Sequence, residues 1–339
     1  MCGVCKTQSH RITPTKLTYV TISIVFVHGL TGNRETTWTH KQTKIFWPQA
    51  FLARDLPDTR ILTFGYDSDI ICALHISGPN TLRDHRKSLA HDLAMRRMRS
   101  RTNQRPLIFV AHSLGGLVVE QALLISRGAA QQHLKQILTS TTAIAFMGTP
   151  HIGSTIADWA IPLTRLGNVL RRANKDIVKV LQPGSEMLAN LQQEFHTMLE
   201  DYRRNHNKSI EIFCFFEELP VIGIGKIVPD HSAILSAHPN RSIHGDHMQM
   251  TEFASARDPG YVAVSDQLWL WVEALQRERE AQVQAQAFQE SQPQQEPAGF
   301  QNSRPQYLID SGGGPIFQGS QAVGRVINLN AIAHRYQLE

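Results

Sequence analysis

The sequence predicts an α/β architecture, a mostly parallel sheet covered by helices on both faces. Three observations carry this expectation. Short β-rich apolar runs recur through about residue 275, and stretches with helical spacing separate them. The first strong run, Val20–Val27, starts with polar alternation and closes as Ile-Val-Phe-Val, as a strand buried on both sides does.

After that run, the expected strands are Arg60–Phe64, Leu107–Ala111, Thr142–Met147, Ser209–Phe216 and Arg241–His244. Leu82, Leu89 and Leu93 share one helical face ahead of the third strand. Val264, Leu268, Val272 and Leu275 share a face in the last helix. One connection is long, about fifty-five residues from Gly153 to Asn207. Its Ile156, Trp159, Ala160 and Leu163 make an apolar stripe, and Pro162 is expected to kink or split the helix. Insertions of this length ordinarily carry function, so a helical cap is expected over about 153–208. The domain reading is an N-terminal arm (1–19), an α/β domain (20–280), a Gln-rich linker (281–309) and a tail (310–339).

Composition narrows the function classes. The chain has 339 residues, 42% hydrophobic and 19% charged, enough to bury a large core. The net charge of +5 is carried by scattered arginines, which argues against nucleic acid as a partner. The Arg-rich stretch Arg83–Arg101 reads as a solvated face, with anionic lipid headgroups as the sharper alternative. Four cysteines are too few for a disulfide framework, and Cys72 and Cys214 lie in apolar stretches as buried thiols do. There is no HExxH and no paired CxxC, so neither a metal nor a cofactor is expected. Ile222-Gly-Ile-Gly-Lys226 fails the spacing of a phosphate-binding loop, and Ile227 stands where Ser or Thr is needed. No run reaches 18 apolar residues and the first 20 contain no apolar leader, so a cytoplasmic location is expected, with peripheral contact to a membrane as an added option.

The chemistry-bearing signal is Phe109-Val-Ala-His-Ser-Leu-Gly-Gly-Leu-Val118. A buried strand runs into Ser113 and an apolar helix follows at once, which is a nucleophile elbow in its small-x-Ser-x-Gly form. The turn is sterically tight, so the positions two before and two after the serine must be small; they are Ala111 and Gly115, with Gly116 next. The helix N-terminus favours negative charge developing at Ser113. Such a nucleophile needs two backbone N–H donors for the oxyanion. Leu114, the residue after the serine, supplies one; Leu30, in Val27-His-Gly-Leu-Thr-Gly32 after the first strand, is the candidate for the other. The general base is expected after the last strand, in Ile243-His-Gly-Asp-His247, with His247 preferred and His244 as fallback. The acid belongs at a strand end between nucleophile and base. Glu217 fits best, Asp230 is the alternative and Glu218 stands third.

The set Val-His-Gly-Leu, Ala-His-Ser-Leu-Gly-Gly, Met147-Gly-Thr-Pro-His-Ile-Gly153, Phe-Phe-Glu and Gly-Asp-His-Met resembles lipase-like α/β-hydrolases over roughly residues 20–275. That group includes the serine-active-site-containing proteins and the phosphatidylinositol-glycan deacylases. The set is also similar to fungal esterase-like effector domains associated with NOD-like receptors. The resemblance implies an α/β-hydrolase fold, ester hydrolysis with lipid or acyl esters as substrate, and no cofactor. It implies Ser113 as nucleophile, His247 as base, and Leu30 and Leu114 as oxyanion donors. The tail, with Ile316-Phe-Gln-Gly-Ser-Gln-Ala-Val-Gly-Arg-Val-Ile-Asn-Leu-Asn330, has β-branched residues among Gly, Gln and Asn, no Pro and one charge, features of a segment that can stack as cross-β. It resembles the amyloid-signalling motifs attached to some of these fungal proteins, which implies a NOD-like receptor as partner through the tail.

Overall fold

The computed structural model describes residues 22–29, 32–66, 89–151, 162, 165, 186–235 and 237–291. The N-terminal arm, Leu30, Leu82, Cys72, the stripe Ile156–Leu163 and the tail 310–339 lie outside the described residues. The chain divides after Gln282 into two units.

In the first unit, six parallel strands form one sheet: β1 (Ile22–Val27), β2 (Thr59–Phe64), β3 (Leu107–His112), β4 (Thr141–Met147), β5 (Glu211–Glu217) and β6 (Asn240–Ile243). Their spatial order is β2-β1-β3-β4-β5-β6. Every pairing is parallel, from Val27 beside Ala111 to Glu217 beside Ile243. The observed strands begin and end within two residues of the expected ones.

The period-two alternation of the strands sends their side chains into two cores. Val25, Phe109, Ala111, Ile144 and Phe146 face one core. There they meet α1 (Leu89–Arg99), α2 (Gly115–Gly128), α3 (Gln132–Ser140) and α4 (Glu186–His206). Ile24, Phe26, Ile108, Val110, Ala145 and Met147 face the other, against Trp38, Trp47 and α5 (Pro259–Ser291), whose Val264, Leu268 and Val272 are buried as their shared face predicts. Trp38 and Trp47 stand edge-on to Phe26 at centroid distances of 5.0 and 5.3 Å.

Two elements depart from expectation. The stretch expected as cap ends in α4, which buries Phe195, Met198 and Tyr202 in the first core beside α2. This part of the long connection covers the sheet. In α1, the expected solvated face contains a buried arginine: the Arg97 guanidinium donates to the carbonyls of Arg105, at 2.8 Å, and Asn103. Burial, with the nearby charges of Arg105 and Arg60, lowers its pKa to about 10. Among the described residues no helix is long and apolar enough to cross a membrane.

Candidate active site

Consecutive parallel strands deliver the polar residues to one end of the sheet. β3 ends at His112 and α2 begins at Gly115, so Ser113 must turn the chain within two residues. It does so in the left-handed region, at φ +53°. That conformation costs a non-glycine residue about 1–2 kcal/mol, so its surroundings must hold it there. The Ser113 N–H donates to the Met147 carbonyl at 2.9 Å, and its own carbonyl accepts from Gly116 N–H at 3.0 Å.

The glycines around the turn mark backbone approach. A Cβ on Gly115 would lie 2.4 Å from the His28 carbonyl oxygen, and one on Gly29 would lie 2.8 Å from Cβ of Ser113. β1's loop is thus pressed against the serine. His28 steadies that loop: its ring stacks on Tyr66 at 4.2 Å, and the Tyr66 hydroxyl donates to the His28 carbonyl at 2.6 Å.

β5 ends on Glu217 and β6 ends on Ile243, four residues before His247. The two strand ends are joined by Glu218 N–H to the Ile243 carbonyl and Leu219 N–H to the Gly245 carbonyl, both 3.1 Å. Asp246 fixes the next turn, since its Oδ1 accepts from the N–H groups of Met248 and Gln249, each at 2.9 Å. As a result Nδ1 of His247 faces Oε2 of Glu217 at 3.2 Å, with both side chains buried. The other carboxylate oxygen, Oε1, accepts from Val228 N–H at 2.9 Å.

The alternatives lie elsewhere. Asp230 pairs with Lys226 at 2.5 Å and is half-exposed. His244 is exposed, stands 3.5 Å from Glu218, and lines a polar surface cleft with His40, Lys41 and Glu252. The structure therefore brings Glu217 and His247 together and leaves Asp230, Glu218 and His244 outside that pair. Leu114 is buried as the first residue after Ser113, at the N-cap of α2; Leu30 lies outside the described residues.

Two further residues shape the site. His112 is the last residue of β3, and its Nε2 donates to the His247 carbonyl at 2.8 Å. A carbonyl can only accept, so the Nε2 of His112 carries the proton. Burial above all, then the nearby His247, holds His112 well below the ordinary histidine pKa, so it stays neutral. Gly148, at φ +59°, is the floor under the base: a Cβ there would lie 3.1 Å from Cε1 of His247 and 3.1 Å from Sδ of Met250. A glycine directly after a buried strand was the signal for it.

The Oγ of Ser113, both ring nitrogens of His247 and Oε2 of Glu217 are buried with no hydrogen-bond partner among the described residues. Buried polar atoms ordinarily find partners, and unsatisfied ones gather where a substrate or strain belongs.

A parallel sheet with helices on both faces, a left-handed serine at a strand–helix turn and a buried His–Glu pair near the following strand ends give the chain an α/β-hydrolase architecture. Residues 22–171, somewhat under half of the chain, match the family model described as "Putative serine esterase (DUF676)". Among curated relatives, Protein SERAC1 of Danio rerio is 29% identical over 253 residues, covering 67% of this chain and 35% of its own length. Protein SERAC1 of Homo sapiens is 26% identical over 231 residues, covering 61% and 32%. The chain thus spans about a third of the length of these relatives. Of solved structures, the lipase BlEst2 of Bacillus licheniformis is 18% identical with a TM-score of 0.45, covering 74% of this chain and 93% of its own. A lipase-esterase related protein from Clostridium acetobutylicum is 10% identical with a TM-score of 0.39, covering 80% and 100%. These are likenesses of fold alone.

Proposed function

We propose that this chain hydrolyses carboxylic esters through an acyl-serine intermediate. The observations that carry the reading are the buried Glu217–His247 pair at 3.2 Å and, at the same end of the parallel sheet, a serine held at φ +53°. In the reaction, Nε2 of His247 takes the Ser113 hydroxyl proton as Oγ bonds to the ester carbonyl carbon. The oxyanion accepts from the N–H of Leu114 and from that of Leu30. Collapse breaks the C–O bond to the alcohol, which leaves with the proton from His247. Water then repeats the sequence and frees the acid. Glu217 holds the imidazole in the tautomer with Nδ1–H and stabilises its cation. No cofactor enters any step.

A lipid or acyl ester is the proposed substrate class. Ile222 supports it: 98% exposed, it tips a turn closed by the Val221–Gly225 bridge, a few residues beyond Glu217. The test is hydrolysis of p-nitrophenyl esters of increasing chain length by wild type and Ser113→Ala. Turnover should fall by about three orders of magnitude or more in the variant, with circular dichroism unchanged. Equal turnover in both would refute the serine mechanism. A profile that peaks at acetate would refute the long-chain substrate and leave the esterase standing.

A second reading concerns signalling. The cross-β features of residues 310–339 support an effector role in which a NOD-like receptor partner templates the tail and switches on the hydrolase.

A further inference from the structure

Behind the nucleophile turn lies a second buried carboxyl–imidazole couple that the ester chemistry leaves unused. Glu120 sits on α2, one helical turn beyond Gly116, and is fully buried. His151 ends the Gly148-Thr-Pro-His151 loop after β4 and is also buried. Nδ1 of His151 stands 3.4 Å from Oε1 of Glu120, and neither carboxyl oxygen has a hydrogen-bond partner among the described residues.

The loop that carries His151 touches the base and the nucleophile helix. Gly148 underlies the His247 ring, and Thr149 fills the space that a Cβ on Gly116 would occupy, 2.2 Å from its Cγ2. His151 N–H donates to the Ser232 carbonyl at 2.6 Å, and the Ser232 hydroxyl returns a bond to the His151 carbonyl at 3.1 Å. That ties the loop to the segment whose Val228 holds Glu217. Gln192 of α4 donates to the Pro150 carbonyl at 2.7 Å.

We propose that Glu120 and His151 are positioning residues: a protonated Glu120 carboxyl faces Nδ1 of a neutral His151 and clamps the Gly148–His151 loop to the nucleophile helix, holding the floor under His247 in place. The inference rests on the reading of Ser113 and His247 given above. The physical reason is desolvation. A carboxylate with no exposure and no donor is far costlier than the acid, so the group keeps its proton. Among the described residues the titratable neighbours offer no cation in exchange. Burial lowers His151 to about 3 and holds His196 on α4 and His238 ahead of β6 below the usual histidine value. Burial pushes the Cys214 thiol on β5 up to about 11. Burial likewise raises Glu120 to about 8, with His196 opposing.

Two readouts test the pair. The first is the pH dependence of the thermal midpoint. Glu120 is raised in the folded state, so the fold keeps a proton that the unfolded chain sheds above about pH 4.5, and stability falls as pH rises toward 8. The lowered histidines act in the opposite sense, but only up to the unfolded histidine value of about 6.5. Between about pH 6.5 and 8 the fall due to Glu120 stands alone, and Glu120→Gln should abolish it. The second readout is kcat against pH. Loss of the Glu120 proton should lower wild-type kcat about ten-fold from pH 7 to pH 9, with KM little changed. In Glu120→Gln, whose amide can still donate to His151, that ratio should approach one.

A Glu120→Gln melting profile that keeps the wild-type slope overturns the shared proton. A slope that is lost while the kcat profile keeps its alkaline fall overturns the positioning role. Inert wild type that nonetheless shows the slope, lost in Glu120→Gln, refutes the serine-esterase reading while supporting the protonated pair.

Discussion

Glu217 uses its two oxygens for separate tasks. Oε1 is anchored by Val228 N–H and Oε2 is left for His247. An amide in its place keeps the shape and the first contact, but removes the negative charge that fixes the imidazole tautomer. In triads of this type such a swap costs about four orders of magnitude in kcat, and Glu217→Gln should approach that loss. Asp230→Asn removes a half-exposed pair with Lys226, worth at most about 1 kcal/mol, and should leave turnover within about two-fold. Steady-state kinetics on one soluble ester separate the two, and the opposite ranking would move the acid to Asp230. At this scale the sequence pointed to Ser113 and Glu217 because each stands at the end of an apolar run, and to His247 because it follows the last strand; a parallel sheet gathers its strand ends. Asp230 competed only because spacing says nothing of where a loop carboxylate turns. His112 and Glu120 were illegible for a different reason. What gives them meaning is a partner far off in the chain: the His247 carbonyl for His112, the His151 imidazole for Glu120.

At the scale of elements, hydrophobic period was a good guide to type and a poor one to partner. The six strands were legible because their runs are continuous and bounded. The face shared by Val264, Leu268 and Val272 found the second core as its spacing required. α4 also had a legible stripe, but a stripe says only that something covers it. Placed at the end of a long connection, it read as cap; in the structure it completes the layer that includes α2. The distinction is measurable. Phe195 is 1% exposed and stands edge-on to Phe146 of β4 with ring centroids 6.4 Å apart. Phe195→Ala should therefore cost about 3–5 kcal/mol in urea unfolding, the range for a large core aromatic. A cost under about 1 kcal/mol would return α4 to the role of a detachable cap. Removal of residues 154–185 is the cleaner way to ask whether the long connection shapes chain-length preference, since it spares α4. Arg97 shows the same limit from the polar side: one guanidinium of an Arg-rich helix is buried on the carbonyls of Asn103 and Arg105.

At the scale of the molecule, every described residue of both cores lies between Ile22 and Leu275. The site is drawn from the same span, with Glu217 and His247 on adjacent strand ends and Ser113 two strands away. Beyond it, Val283 and Phe288 are exposed and the sequence turns rich in Gln. Hydrolysis and the proposed signalling are thus encoded in separate stretches, and they should separate experimentally. A chain ending after Ser291 keeps every described core residue and every candidate site residue. Its thermal midpoint should stay within about 2 °C of the full chain, since a shift that size in a domain this large corresponds to under about 1 kcal/mol. Its ester turnover should match that of the full chain without any trigger. The complementary peptide, residues 310–339, should form thioflavin-positive fibrils and seed the full chain but not the shortened one, because cross-β stacking needs identical segments in register. If the shortened chain is inert while the full chain turns over, residues after Ser291 contribute to the site itself. If the peptide stays soluble at high concentration with and without seeds, the templating role fails, while the esterase reading, which draws on none of those residues, is untouched.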